Sequence, residues 1–167
     1  MQPALLDAMT NAIVAPVLSQ LEDTQLEKTQ PVDIAHAFMQ AMLNYRDGAL
    51  VVSGSYGTTP NVLKFTDTLL GLFLRYGLPR QRAVDATFNL IYYVQGFVLE
   101  EQSFTQQWGM SEQTSARDLA SDSFKKSVST DYPNLRDCKN SILEANFDAR
   151  FAFGLETQMA GLQVLSP

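Results

Sequence analysis

Apolar residues recur along this chain with the period of an α-helix, and residues 79–102 show that pattern most strongly. Two adjacent apolar stripes run along this segment: Ala83, Thr87, Leu90, Val94 and Phe97, and beside them Val84, Phe88, Ile91 and Val98. A helix that is apolar nearly all round must be covered on more than one side. Its polar exceptions share a single row because they follow at steps of three or four residues. They are Asn89, Tyr92 or Tyr93, Gly96 and Glu100. Such a row is typical of a ligand cavity or of a subunit interface.

The same period predicts a helix near the start of the chain, from Leu5 to Leu21. Leu5 and Met9 belong to its apolar side, and Pro16 inside it predicts a kink or an early end. Residues 22–30 are polar and are predicted to connect this helix to the next.

Proline and glycine mark the ends of the next two helices. Pro31 suits a first helical position, and Gly48 is the expected left-handed terminator of that helix. Residues 49–52 fit either a strand or a brief helical turn, and residues 53–59 form a loop with two glycines. Thr59 is expected to cap the following helix, which Gly77 ends.

The last third of the chain is patterned less regularly. Residues 103–130 are rich in Ser, Thr and Gln and are predicted to be a mobile connection with one helical piece. A short helix is expected from Pro133 to Ile142, and a final helix from Phe147 to Leu165. Gly154 and Gly161 lie on one side of that helix and suggest close packing against another. The chain is predicted to be all-α, with six or seven helices in one domain, residues 1–167.

Composition narrows the class of protein. The chain has 167 residues, of which 46% are hydrophobic and 18% charged, as in ordinary globular proteins. A net charge of −6 makes it a poor candidate for binding a phosphate backbone. No apolar run approaches the length of a membrane span, and the N-terminus does not resemble a signal peptide. The single cysteine, Cys138, excludes an internal disulfide, and we expect a cytoplasmic protein.

No pattern of catalytic or metal-ligating residues stands out. His36 is the one histidine, so a serine-type triad has a single candidate base, and no Cys/His pair has zinc-ligand spacing. The loop at 53–59 contains Gly54 and Gly57 but no following lysine, which argues against a phosphate-binding loop. We therefore expect a binding module, not an enzyme, with no cofactor and no metal.

Four segments resemble the C-terminal regulatory domain of the tetracycline-repressor (TetR) family. They are ALLDAM at residues 4–9, YRDGALV at 45–51, GFVLEEQ at 96–102 and FAFGLETQMAGL at 151–162. They occur in the order and close to the spacing of that family, and the resemblance covers nearly the whole chain.

The resemblance implies an architecture and a function. In that family the segment like ALLDAM follows a helix-turn-helix domain, which would be absent here, so that DNA would be bound only through the missing N-terminal domain. The central and last helices would pair with those of a second copy in a four-helix bundle. In such a homodimer Phe151 and Leu155 would become buried only against the second subunit. A small hydrophobic effector bound inside each subunit would release DNA from the intact repressor.

The residues that match effector-contact positions can be carried over one at a time. Phe38 keeps an aromatic ring, Ser55 a hydroxyl and Glu100 a carboxylate. Val52 and Tyr92 stand where tetracycline-binding members place histidines, the first of them a magnesium ligand, so a magnesium–tetracycline chelate is not expected. The predicted ligand-binding residues are Phe38, Val52, Ser55, Tyr56, Leu69, Phe88, Asn89, Tyr92 and Glu100.

A second class of function stays open at this point. The chain would then be a helical dimerisation or protein-interaction module that binds no effector. An enclosed cavity lined by Phe38, Val52, Leu69 and Tyr92 favours the effector domain, whereas a core packed solid at these residues favours the interaction module.

Overall fold

The computed structural model describes residues 3–23, 28–55, 57–108, 116–128, 131–144 and 147–165. These ranges contain nine helices and no strand. The helices are α1 (Pro3–Asp23), α2 (Pro31–Leu43), α3 (Gly48–Ser53), α4 (Pro60–Arg75), α5 (Arg80–Trp108), α6 (Ala116–Ser127), α7 (Pro133–Asp137), α8 (Lys139–Glu144) and α9 (Phe147–Leu165). The all-α prediction is confirmed, and the helices beyond the expected six or seven are short ones.

The chain divides into two compact units. The first takes Met1–Gln102 with Thr157–Pro167, and the second takes Ser103–Glu156. The core of the first unit lies between α1, α2, α4 and α5, where Ile34, Phe65 and Leu90 are each at most 3% exposed.

Helix α1 packs against α2, α3 and α4 in the first unit. It continues through Pro16 to Asp23, so the early end predicted at this proline is wrong. Its buried side carries Thr10 and Val14, whereas Leu5 is 53% exposed. Because three helices cover α1, its buried side is broader than the single predicted stripe and is turned towards Thr10.

Helix α1 is also the one helix of the described residues that is long and apolar enough to cross a membrane. Between Ala4 and Glu22 its mean hydropathy is 1.3, so the expectation that no apolar stretch approaches such a length is wrong. Ile13, Val17 and Leu21 of this stretch are buried among the helices of the first unit, which accounts for the apolar composition.

The turn between α2 and α3 differs from the prediction. Helix α2 ends at Leu43, and Gly48 is the first residue of α3, without a positive φ. A Cβ atom added to Gly48 would lie 2.1 Å from the carbonyl oxygen of Met42, so glycine is required here for close approach and not for a left-handed turn. Residues 49–52, for which a strand and a helical turn were both open, belong to α3.

The two ends of α4 differ in how closely they follow the prediction. Gly77, with φ of +85°, follows α4 and confirms the predicted glycine stop. At the other end Thr59 holds the N-cap position, but its side chain makes no capping hydrogen bond. The N–H of Asn61 instead donates to Oδ1 of Asn11 at 3.0 Å, so α1 satisfies one of the free donors of α4.

Helix α5 has one buried and one exposed apolar side. Ala83, Thr87, Leu90 and Val94 of the first predicted stripe are each at most 1% exposed. Val84 and Phe88 of the second stripe are 37% and 42% exposed, whereas Val98 is 0% exposed, so the first half of that stripe is not covered within the chain. The helix continues to Trp108, and the prediction of a connection from residue 103 is wrong for its first six residues.

The second unit is built from shorter elements. The predicted short helix to Ile142 is broken at Cys138 into α7 and α8, and the ring of Phe104 meets that of Phe147 edge-on at 5.7 Å. Helix α9 has the predicted bounds. Phe151 is 0% and Leu155 is 1% exposed in the single chain, so the expectation that a second subunit must bury them is wrong.

Candidate functional site

A cavity of about 430 Å³ opens in the first unit among α1, α2, α3, α4 and α5. This volume is within the range of about 300–1,000 Å³ that is usual for small-molecule sites. Its lining residues are Thr10, Val14, Phe38, Val52, Ser53, Ser55, Gly57, Val62, Leu63, Phe65, Thr66, Phe88, Ile91, Tyr92 and Gln95. None of these side chains carries a charge, so the cavity is suited to a neutral ligand.

The cavity has a buried floor and an exposed rim. Thr10, Phe38 and Phe65 are each at most 3% exposed and form the floor. Leu63 and Tyr92 are 55% and 63% exposed and form the rim. A ligand that enters past the rim would lose contact with water as it reaches the floor.

Aromatic rings line both levels of the cavity. The ring centroids of Phe38 and Phe65 are 4.8 Å apart on the floor. Phe88 and Tyr92, one helical turn apart on α5, have centroids 5.9 Å apart at the rim. Rings at these separations offer faces and edges against which a flat aromatic ligand can pack.

The serine and threonine hydroxyl groups of the lining already donate their protons within the protein. Thr10 Oγ1 donates to the carbonyl oxygen of Val51 at 3.3 Å, and Ser55 Oγ donates to Asp7 Oδ1 at 2.8 Å. The hydroxyls of Ser53 and Thr66 donate to backbone carbonyls four residues earlier, at 2.8 and 2.9 Å. Because their protons are used, these serine and threonine oxygens can act towards a ligand only as acceptors.

Helix α1 holds the loop at the mouth of the cavity, which the sequence did not predict. Besides the Ser55–Asp7 bond, Asn61 Nδ2 donates to the carbonyl oxygen of Asn11 at 3.0 Å. The N–H of Gly57 donates to Ser55 Oγ at 3.3 Å, and a φ of +70° at Gly57 allows that tight loop. The polar side chains Asp7, Thr10 and Asn11 on α1 were the available sequence signal, and each bonds to a residue far away in the chain.

Gln102 is a second residue whose role the sequence did not reveal. Its amide group is buried and bonds three backbone groups around the α2–α3 turn. The N–H of Ala49 donates to Oε1 at 3.2 Å, and Nε2 donates to the carbonyl oxygens of Met42 at 3.2 Å and Tyr45 at 2.7 Å. The segments YRDGALV and GFVLEEQ, noted separately in the sequence, therefore meet at this side chain.

The structure brings five of the nine predicted site residues to the cavity. They are Phe38, Val52, Ser55, Phe88 and Tyr92. Leu69 is buried beside Phe38 and Leu90 in a tightly packed part of the core and does not line the cavity. Asn89 and Glu100 are exposed outside its lining, and Tyr56 lies outside the described residues.

A second cavity, of about 320 Å³, lies elsewhere in the first unit. It is lined by Gln30, Pro31, Val32, Asp33, Phe73, Tyr76, Leu78, Met159, Leu162 and Gln163. Partial burial and the nearby Asp33 carboxylate both raise the pKa of Tyr76, which keeps its phenol protonated. This cavity has a carboxylate in its lining, unlike the first.

Among the described residues, no three His, Cys, Asp or Glu side chains converge as a metal-binding group. Val52 and Tyr92, which stand where tetracycline-binding members place histidines, both line the first cavity.

Comparison with known proteins agrees with this architecture. Residues 22–165 match the family model described as Tetracyclin repressor-like, C-terminal domain. The chain is 29% identical over 164 residues to the tetracycline repressor protein class G of Vibrio anguillarum, covering 97% of this chain and 73% of that protein.

Solved structures give the same result. The crystal structure of TetR from Acinetobacter baumannii AYE is 30% identical, with a TM-score of 0.65 over 98% of this chain and 75% of that one. The ActR protein of Streptomyces coelicolor, crystallised with (S)-DNPA, shares the fold with a TM-score of 0.76 at 20% identity, covering 99% of this chain and 77% of that one. The extent of the family match and the agreement in fold lead to one conclusion: this chain belongs to the tetracycline-repressor-like C-terminal domain family of transcriptional regulators.

Proposed function

We propose that residues 1–167 form the effector-binding and dimerisation domain of a one-component transcriptional repressor, and that a small hydrophobic effector binds in the first cavity. The observation that carries this proposal is the uncharged cavity of about 430 Å³ around Phe38, Val52 and Tyr92. An interaction module without an effector would be expected to fill this space with side chains.

The hydrogen bonds of α1 supply the path by which an effector acts. Ser55, Val51 and Asn61, at or next to the cavity, bond to Asp7, Thr10 and Asn11 of α1. A ligand that displaces the loop or α3 must move α1 or break these bonds. In the intact repressor this movement would change the spacing of the DNA-binding domains and release DNA.

DNA contact itself is proposed to come from a helix-turn-helix domain outside these 167 residues. The chain is acidic, with a net charge of −6, and it spans 73% of the length of the class G repressor that it resembles. We place the intact repressor in the cytoplasm, where its DNA lies.

The chain is proposed to form a homodimer through α5 and α9. Val84 and Leu99 on α5 are 37% and 39% exposed, Phe153 and Val164 on α9 are 71% and 84% exposed, and none of these residues lines the cavity. Exposed apolar residues in such number are typical of an interface. A Cβ at Gly96 or Gly161 would meet no atom within 4 Å, which leaves room for a close neighbour. Sedimentation equilibrium is expected to give a dimer at micromolar concentration, and a stable monomer would contradict this part of the proposal.

Effector binding can be tested with N-phenyl-1-naphthylamine, a neutral aromatic dye whose fluorescence rises in apolar sites. We expect one saturable site per chain. Leu63→Trp places a bulky ring at the rim and is expected to weaken binding about tenfold, a loss of about 1.4 kcal/mol. The matched control is Leu74→Trp, because Leu74 is also an exposed leucine of α4 but does not line the cavity. Equal affinity of the two variants would contradict the proposed site.

Calorimetry with tetracycline, with and without magnesium, tests whether a metal takes part. Val52 and Tyr92 line the cavity at the two positions where tetracycline-binding members place histidines. No tight magnesium-dependent binding is therefore expected. Tight binding that requires magnesium would show that other residues supply the metal ligands.

A further inference from the structure

We propose that the floor of the first cavity selects neutral aromatic ligands that carry a hydrogen-bond donor, and that Thr10 is the residue that sets this preference. The inference rests on the proposed function, namely that this cavity binds the effector. It goes beyond it by stating which chemical group the effector presents to the protein.

The preference follows from the direction of the hydrogen bonds in the lining. A threonine or serine hydroxyl has one proton to donate and two lone pairs that accept. The four serine and threonine hydroxyls of the lining, on Thr10, Ser53, Ser55 and Thr66, each donate that proton to a carbonyl or carboxylate oxygen. What these four groups still offer to a ligand is acceptor lone pairs.

Depth decides which of these hydroxyls matters most. Thr10 is 1% exposed, whereas Ser53 is exposed at the mouth. A ligand group that reaches Thr10 has left water behind, so an unmatched polar atom there keeps its full desolvation cost. A phenol can donate to Thr10 Oγ1, whereas an ether oxygen would place one acceptor against another.

The rim of the cavity is less demanding. The phenol of Tyr92 and the amide of Gln95 can both donate and accept. A ligand can therefore carry an acceptor at its outer end. The favoured ligand is a flat, uncharged molecule with a hydroxyl or N–H at the end that enters first.

Four naphthalenes test this proposal by displacement of N-phenyl-1-naphthylamine from the complete chain. Two isosteric pairs are compared: 1-naphthol with 1-methylnaphthalene, and 1-methoxynaphthalene with 1-ethylnaphthalene. We expect 1-naphthol to bind about fivefold more tightly than 1-methylnaphthalene, the usual net effect of one buried hydrogen bond. The ether is expected to bind more weakly than its ethyl analogue.

Substitution of Thr10 tests the residue. Thr10→Val keeps the shape of the side chain but removes the oxygen, and it should abolish the fivefold preference. The carbonyl of Val51, which loses the Thr10 bond, still accepts from the N–H of Gly54 at 3.2 Å, so the local backbone keeps a partner. Thr10→Ser restores the oxygen and should restore the preference.

Thr68→Val is the matched control. The hydroxyl of Thr68 also donates to a backbone carbonyl, that of Lys64, but Thr68 does not line the cavity. This variant should keep the preference of the unmodified protein.

The outcomes separate the two proposals. If all four naphthalenes displace the dye but the phenol shows no advantage, the donor preference is wrong and the cavity remains the effector site. If Thr10→Val keeps the fivefold preference, another residue sets it and the assignment to Thr10 is wrong. If the dye does not bind the unmodified protein at all, the proposed function fails and this inference fails with it.

Discussion

Two stretches of helix α5 are built in opposite ways. At residues 88–95 the helix presents Phe88, Tyr92 and Gln95 to an open cavity, and Tyr92 is 63% exposed. Two turns later Gln102 is 8% exposed and makes three hydrogen bonds to the backbone around the α2–α3 turn. The cavity side of the first stretch can adapt to a ligand because little packs against it, whereas Leu90 and Val94 on the other side of the helix are buried in the core. The second fixes α5 to the rest of the first unit, so one helix supplies both a variable wall and a rigid attachment.

The largest effect is expected from removing the attachment. Gln102→Ala removes three hydrogen bonds and leaves the buried N–H of Ala49 without its acceptor, whereas the carbonyls of Met42 and Tyr45 keep the N–H groups of Tyr45 and Gly48. We expect the free energy of unfolding to fall by about 3 kcal/mol, measured by urea denaturation. Gln81→Ala on the same helix removes only an exposed bond to Asp85 and should cost less than about 0.5 kcal/mol. A similar small loss for both variants would show that Gln102 does not hold the turn.

The turn that Gln102 binds gives the next prediction. Gly48→Ala would bring a Cβ to 2.1 Å from the Met42 carbonyl oxygen, so the backbone must move and stability should fall by about 2 kcal/mol. Gly71→Ala is the opposite case, because its added Cβ meets only the end of the Arg75 side chain at 3.8 Å. That variant should gain about 0.5–1 kcal/mol through helix propensity. Stabilisation by both substitutions would contradict the close approach at Gly48.

The smallest effect on stability is expected at the cavity wall. Tyr92→Ala removes a largely exposed ring, so the free energy of unfolding should change by less than about 1 kcal/mol. The same substitution removes an aromatic partner of the ligand and should weaken dye binding several-fold. Loss of stability as large as that of Gln102→Ala would mean that the two stretches of α5 do not differ as described.

The sequence predicted the elements better than their contacts. The period of apolar residues was sufficient for α2, α4 and α9, and the resemblance of four segments was sufficient for the family. Gln102 and Thr10 were not recognised, because their partners lie 53 to 60 and 41 residues away along the chain and such bonds leave no local pattern. The role of Gly48 was predicted wrongly because glycine occurs both in left-handed turns and where backbones approach closely, and the sequence alone does not distinguish these two uses.

The burial of residues on α5 and α9 was likewise not predictable from the local sequence. A helical stripe shows which residues are apolar but not which neighbour covers them. Phe151 and Leu155 are buried within the chain, whereas Phe88 and Tyr92 of α5 remain exposed. For the site, five of the nine predicted residues line the cavity, four of them carried over from the family resemblance, and their contact with an effector stays a prediction.

Amide hydrogen exchange with and without saturating N-phenyl-1-naphthylamine tests the central claim most directly, since the described residues line a second cavity of similar size. The account predicts added protection in residues 52–66 and 88–95, which surround the first cavity. Residues 30–33 and 159–163 line the second cavity and should exchange as they do without the dye. Protection confined to this second set would contradict the assignment of the effector site.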